Sequence, residues 1–435
     1  MTVYTLSHKL MSGGRLFVNW IKGSYLVTLI RVAVCRHRYR KICKRINGYT
    51  DRKIRVLFMC DTLAKWKCQA LYERMAKNPI FEPIVCVTVK PHVLKLTILE
   101  VSRTLEDLVT YFKQRRVYIK VAVDVDNRKF VPLSIYNPDI VFFQEPWSLP
   151  VLQTPWMVSK YALTAYVPYS YEMSLEDKIF SRRDFHSLLA YNFANNQGRV
   201  RLYKTLNRSF EYAGEIVSFG YPFFDLYMNQ SARKETRRSV IYAPHFSLNY
   251  GTFKSFHSRH LLDLGTFEWN GKEILSYAKL HPEIDWVFKP HPTLREHLVM
   301  SGFMSIEECD EYYLEWERCG QVCYDGDYIE KFMSSDVLIT DSGSFLIEYL
   351  PTGKPIIRLK PEDGNGIDGD YIKPVLDTYY TVSNLVEMYE CFSRVIEKGE
   401  DPKHDERIIA AKKLNLLGED VSGKIVLYLE NKLNN

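Results

Sequence analysis

Two stretches decide the fold of this chain: IDWVFKPHPTLREHL at 284–298, and SSDVLITDSGSFLIEYLPTGKPIIRL at 334–359. Each is a short apolar run that stops abruptly at small, polar or turn-forming residues. A continuous apolar run of this length is what a strand buried on both faces requires, as in a parallel sheet. In open α/β sheets ligands sit beyond the carboxyl ends of the strands. Lys289-Pro290-His291-Pro292 then follows one strand, and Thr340-Asp341-Ser342-Gly343-Ser344 follows another and opens a helix. Ser-Gly-Ser at a helix start offers backbone N–H groups and hydroxyls, which suits a phosphate. A histidine between two prolines supplies a cation or proton donor with little freedom. Together they predict a site for a diphosphate-containing donor.

The same pattern repeats on both sides. VIYAP (240–244) ends at His245, KEILSYAKLH (272–281) has helical spacing, and KPIIRL (354–359) reads as a further strand. Upstream, IRVLFMC (54–60) and PIVCVTV (83–89) flank TLAKWKCQALYERMAKN (62–78), in which Leu63, Trp66, Ala70, Leu71 and Met75 recur at helical intervals. Asp61 or Thr62 would cap that helix. A helical 101–117, strands at 117–123, 139–144 and 162–167, a helical 185–212 and EIVSFG (215–220) complete the first half. Alternating strands and helices argue for parallel sheets. The expectation is an α/β protein with two Rossmann-like domains facing a cleft: a first domain over 51–230 for the acceptor, a second over 238–400 for the nucleotide donor, and C-terminal helices over 401–435. Its 435 residues exceed one ordinary core, and 46% hydrophobic with 25% charged residues is the composition of a folded globular protein.

Net charge is +6, with the excess concentrated in RVAVCRHRYRKICKRINGYTDRKIR (31–55). RLFVNWIKGSYLVTLI (15–30), just before it, is aromatic and apolar but broken by Lys22 and Gly23, and falls short of the ~20 apolar residues a spanning helix needs. Residues 1–50 therefore read as a basic amphipathic segment lying on an anionic membrane surface, at the cytoplasmic face. The alternative is a basic helix packed on the domain. No nucleic-acid recognition motif accompanies the charge, and no such partner is expected. Nine scattered cysteines without a zinc spacing fit a reducing compartment and no structural metal.

Other motifs carry little. GNGIDG (364–369) matches a dinucleotide fingerprint by letter but follows no strand and opens no helix. Asp124-Val125-Asp126 and Asp368-Gly369-Asp370 match a metal-holding DxD pattern that is common by chance, and no metal site is assigned to them. No phosphate-binding P-loop occurs, which excludes a P-loop kinase or ATPase.

VIYAPHF, WVFKPHP, DVLITDSGSFLIEYL and GKPIIRL, in that order and preceded by GYPFFD (220–225), resemble the donor half of the CDP-glycerol glycerophosphotransferase family of teichoic acid synthesis. The likeness covers about 215–360, and the first half is similar in layout alone. It implies a GT-B fold, peripheral membrane association and polyol-phosphate transfer from a CDP-linked donor, with no cofactor required. His291 and Ser342 or Ser344 would contact the donor diphosphate. Asp341 would orient the helix start or a donor hydroxyl, and Glu348 the ribose. His245, by its place after a strand, joins His291 as a catalytic candidate. The family's Trp-His-Gly segment, whose histidine is taken as the base, has no counterpart in AYVPYSYEMS (165–174), which leaves Glu145 and Glu172 as candidates. Glu145 would be either the base or a hydrogen-bonding group for a glycan or lipid-linked acceptor. A nucleotide-sugar glycosyltransferase or epimerase of the same fold, and a non-catalytic scaffold, remain alternatives.

Overall fold

A computed structural model describes residues 25–171, 182–206, 212–228, 237–248, 264–324, 328–361, 372–414, 416–417 and 419–433. Glu172, GNGIDG, Asp368 and Asp370 lie outside the described residues. Two compact units emerge: the residues up to 223 together with those from 420 onward, and the residues from 224 to 419.

The first unit is built on a seven-stranded parallel sheet. Its strands are β1 (Ile54–Cys60), β2 (Phe81–Val87), β3 (Ile119–Val121), β6 (Ile140–Phe143), β7 (Leu163–Tyr166), β8 (Tyr191–Phe193) and β9 (Glu215–Val217), ordered β3-β2-β1-β6-β7-β8-β9. A small antiparallel pair, β4 (Val123–Asp124) with β5 (Lys129–Phe130), interrupts the chain between β3 and β6. Val56, Leu57 and Phe58 on β1 are fully buried, as expected of a central strand covered on both faces. Because the chain runs outward through β2 and β3 and then returns to β6, the order reverses between β1 and β6.

The second unit carries a six-stranded parallel sheet. Its strands are β10 (Ser239–Ala243), β11 (Asp285–Phe288), β12 (Gln321–Val322), β13 (Val337–Thr340), β14 (Ile356–Leu359) and β15 (Tyr380–Val382), ordered β12-β11-β10-β13-β14-β15. Here the order reverses between β10 and β13.

Three readings are corrected. The helix α1 (Tyr25–Asn47) is part of the first unit: Val32, Cys35, Tyr39, Ile42 and Ile46, at alternating three- and four-residue steps, are buried in the core over the first sheet. Each such side chain is worth roughly 1.5–3 kcal/mol in burial. Residues 401–435 do not stay together either: the helix Val421–Leu433 packs in the core of the first unit. The helix His404–Lys413 stays with the second, where the fully buried Arg407 donates to Gly353 O and pairs with Asp401. Within 185–212, Tyr191–Phe193 is a strand; three residues are too few to show any period against the helical pattern around them.

The residues 62–78 also fold differently from their periodicity. Leu63–Lys65 form a single 3₁₀ turn, Trp66 is extended, and the α-helix starts only at Gln69. Neither Asp61 nor Thr62 caps it. Asp61 instead accepts from the Thr62 hydroxyl and pairs with Lys90.

Candidate active site

In the second unit the residues after β10, β11 and β13 are tied together through their main chains. The His291 N–H donates to Pro244 O at 3.2 Å, and the His245 N–H donates to Asp341 Oδ1 at 2.6 Å. Thr340 donates its hydroxyl to Ala243 O and accepts the Ser342 N–H at 2.9 Å. Asp341 is 3% exposed, and its Oδ2 takes both the N–H and the hydroxyl of Thr266, at 2.9 and 2.8 Å. It therefore ties down the start of the helix Phe267–Leu280 and not that of the helix that follows it. Gly265 permits this close passage: a Cβ there would stand 1.7 Å from Ser247 O. Burial pushes the Asp341 carboxyl up to about 6, against the hydrogen bonds from His245 and Thr266.

The two histidines share one local design that the sequence reading did not single out. In His245-Phe246-Ser247 the Ser247 N–H donates to His245 Nδ1 at 3.2 Å, with the hydroxyl at 2.8 Å. In His291-Pro292-Thr293 the Thr293 N–H donates to His291 Nδ1 at 3.2 Å, with the hydroxyl at 3.0 Å. Each neutral ring therefore carries its proton on Nε2. Phe246 packs against both rings, at centroid distances of 4.2 and 4.5 Å. A His-x-Ser/Thr triplet directly after a strand was the available signal. Burial, reinforced by the charges of His297 and Lys289, lowers His291 to about 4, so of the two roles its sequence setting offers, cation or proton donor, at neutral pH it is the neutral N–H donor.

The remaining donor-site candidates divide. Ser342 precedes the six-residue helix Gly343–Glu348 without capping it, and the side chains of Ser342 and Ser344 are partly exposed, while Pro290 and Gly343 are buried. Lys289, 6% exposed, lays its ammonium over the rings of Tyr328 and Phe345, at 5.0 and 5.8 Å. Glu348 is fully buried, and its Oε2 accepts the Tyr328 hydroxyl.

Glu145 belongs to the first unit, just beyond β6 and beside the end of β1. Its surroundings are charged more than aromatic: Oε2 accepts from Lys65, Oε1 from Lys90, and Lys90 also pairs with Asp61 at 3.3 Å. The rings of Tyr169 and Trp147 lie instead around the Lys65 ammonium, at 5.0 and 5.9 Å. Burial and the neighbouring Asp61 charge raise the Glu145 carboxyl above its ordinary value. Burial works the same way on Asp61 but is outweighed by its hydrogen bond with Glu145 and by Lys90 and Lys65, so that carboxyl is lowered. Asp61, Lys65 and Lys90 escaped the sequence reading because 80-odd residues separate Lys65 from Glu145.

Asp124 spans the β4–β5 turn, accepting from the Asn127 N–H and side-chain amide. Among the described residues no group of three or more His, Cys, Asp or Glu is placed to hold a metal. No helix among them is long and apolar enough to cross a membrane.

No curated protein matches the chain in sequence. In fold it is similar to a putative UDP-N-acetylglucosamine 2-epimerase from Listeria monocytogenes, with 16% identity, 87% of this chain and 96% of that one covered, and a TM-score of 0.57. It is equally similar to a variant of the wall teichoic acid polymerase TagF, with 12% identity, 97% and 98% coverage, and a TM-score of 0.57. At such identities the likeness establishes the fold. The sequence supplies the rest: residues 174–365 match the profile of CDP-Glycerol:Poly(glycerophosphate) glycerophosphotransferase. Over that segment, which is less than half of its length, the chain is similar to the CDP-glycerol glycerophosphotransferase family, and its two parallel sheets give it the GT-B fold.

Proposed function

We propose that the protein moves a glycerol-phosphate-like polyol phosphate from a CDP-linked donor to a glycan or lipid-linked acceptor during synthesis of a cell-surface polymer. The observation that carries this is the pair of histidines, both fixed by the same triplet to present Nε2–H, held by main-chain bonds beside the Ser342–Ser344 loop. Such donors cost no reorganisation when charge builds on a leaving nucleotide, the usual use of preorganised polar groups in phosphoryl transfer. A TagF structure of the same fold was obtained with CDPG (TM-score 0.54, 12% identity, 94% and 98% coverage).

The second reading is a transferase or epimerase acting on a UDP-sugar. It is favoured by the epimerase folds, one of them an S. aureus MnaA structure with UDP (TM-score 0.54, 15% identity, 88% and 97% coverage). Nucleotide preference separates the two: a ligand at 100 times its Kd adds about 2.7 kcal/mol to apparent stability, so CDP should raise the melting temperature more than UDP at equal concentration. His291→Ala should abolish transfer with the fold intact, and His245→Ala should act more mildly. Wild-type turnover in His291→Ala at saturating donor would remove the assignment.

We place the acceptor side of the enzyme on an anionic membrane surface. The support is a cavity of about 570 Å³ along α1, lined by Arg36, His37, Arg40, Lys41 and Lys44. Arg40, Lys41 and Lys44 are exposed and, among the described residues, have no carboxylate partner, whereas Arg36 donates to Tyr212 O and Arg38 to Ser159 Oγ.

A further inference from the structure

We infer that the Asp61–Lys65–Lys90–Glu145 cluster of the first unit receives the terminal hydroxyl of the acceptor, and that Glu145 takes its proton. The inference rests on the transferase reading above and adds its missing base.

Four observations converge. First, the cluster stands at the carboxyl ends of β1 and β6, where the strand order of the first sheet reverses, the position at which open α/β sheets bind ligands. Second, Asp61, Thr62, Lys65, Gln144 and Glu145 line a cavity of about 20 Å³. That is room for about one water-sized group, so it admits the tip of an alcohol and excludes a sugar ring. Third, the walls are fixed independently of any guest. Gln144 donates to Met59 O at 2.9 Å and accepts the Lys67 N–H at 2.9 Å, while Gln153 accepts from Thr88 and donates to Ala122 O. Fourth, Leu149 is shared with a larger cavity of about 320 Å³ that Trp147, Trp156, Arg31 and Arg182 line, large enough for the rest of an acceptor unit.

The charges in the cluster balance, two carboxylates against two ammonium groups. A carboxylate offers about four acceptor positions. Lys65 and Lys90 each take one on Glu145, so capacity remains for a guest hydroxyl. Burial and the Asp61 charge raise the basicity of Glu145, against the pull of the two lysines. In the step itself, the hydroxyl proton passes to Glu145 and the hydroxyl oxygen forms a bond to the outer phosphorus of the donor. The bond from that phosphorus to the bridging oxygen breaks, and the electron pair leaves on the nucleoside monophosphate. Glu145 then returns its proton to water. Lys65, Lys90 and Asp61 are positioning residues in this scheme.

The test measures CMP release from CDP-glycerol by the full chain, with a short poly(glycerophosphate) oligomer as acceptor, alongside CDP binding by calorimetry. Glu145→Gln should bind CDP within twofold of wild type, lose roughly 10²–10⁴ in kcat, and lose the acidic limb of the pH–rate profile, an effect a purely structural role would not produce. The groups facing Glu145 that share this titration are Asp61, Lys65, Lys90 and Cys60. The charge-balanced Glu145→Gln/Lys65→Met keeps the cluster neutral, so a folding defect in the single variant leaves the expectation testable. A kcat within threefold of wild type with the acidic limb intact in either variant overturns the assignment of the base alone. An absence of CMP release by wild type overturns the transferase reading and this inference with it.

Discussion

Both sheets reverse strand order next to their candidate sites, yet the two sites solve opposite problems with buried charge. In the second unit the buried carboxylate that follows β13, Asp341, is consumed by structure: both oxygens accept protein donors, and the groups beside it are neutral rings and hydroxyls. In the first unit Asp61, Lys65 and Glu145 line a small cavity, and Lys90 pairs with both carboxylates. A site that must bind a diphosphate needs fixed donors without bulk charge to desolvate. A site that must remove a proton needs a carboxylate kept basic.

The largest effect that would sharpen this contrast is on stability. Asp341→Ala strands the N–H groups of His245 and Thr266 and the Thr266 hydroxyl, each at ~1–3 kcal/mol, for a total loss of about 3–9 kcal/mol in urea unfolding of the second unit. Replacing a whole ion pair of the first cluster, as in Asp61→Asn/Lys90→Met, should shift stability by no more than about 1–2 kcal/mol, because a removed pair also removes its desolvation cost. Equal losses at the two sites would break the comparison.

A smaller effect lies in pH. The Asp341 carboxyl, raised from 3.8 to about 6, contributes stability that is present below its ordinary value and lost as pH rises through 6. His291, lowered from 6.5 to about 4, contributes stability that is present above 6.5 and lost as pH falls through 4. Between those values the two oppose each other, and the wild-type second unit should vary little. His291→Gln removes one of them, so its urea midpoint should decline steadily as pH goes from 4 to 6. A flat profile in that variant would show that Asp341 is not held protonated by burial.

The smallest effect concerns the surface of the first unit. Arg40, Lys41 and Lys44 changed to Glu should weaken attachment to anionic vesicles by about 1 kcal/mol per basic residue lost, read by flotation, and high salt should weaken the wild type similarly. Because Ile42 and Ile46 stay in the core, the melting temperature should hold. Attachment unchanged in the variant would remove α1 as the contact.

How much of this was legible beforehand differs residue by residue. Strands β10, β11, β13 and β14 were readable because each is an apolar run cut off by polar residues, and the same cut placed His245, His291 and Asp341 at strand ends. Three-residue β8 was not, since it has no room for a period. Trp66 and Leu63 kept helical spacing without a helix because tertiary packing, with Trp66 edge-on to Phe58 at 6.1 Å, overrode local pattern. The basic segment 31–55 was visible as charge, but nothing in its composition said that Cys35 and Tyr39 would face a core.

By itself the sequence determined the alternation of strands and helices, the parallel sheets that follow from it, and the donor-half motifs, because hydrophobic period and turn chemistry are local properties. Only the tertiary structure decided that the C-terminal helix returns to the first unit, that Asp341 is a staple and His291 neutral, and that Asp61, Lys65 and Glu145 share one cavity with Lys90 paired to both carboxylates. Those facts depend on desolvation and on contacts between residues distant in the chain, and neither is written in any local stretch of it.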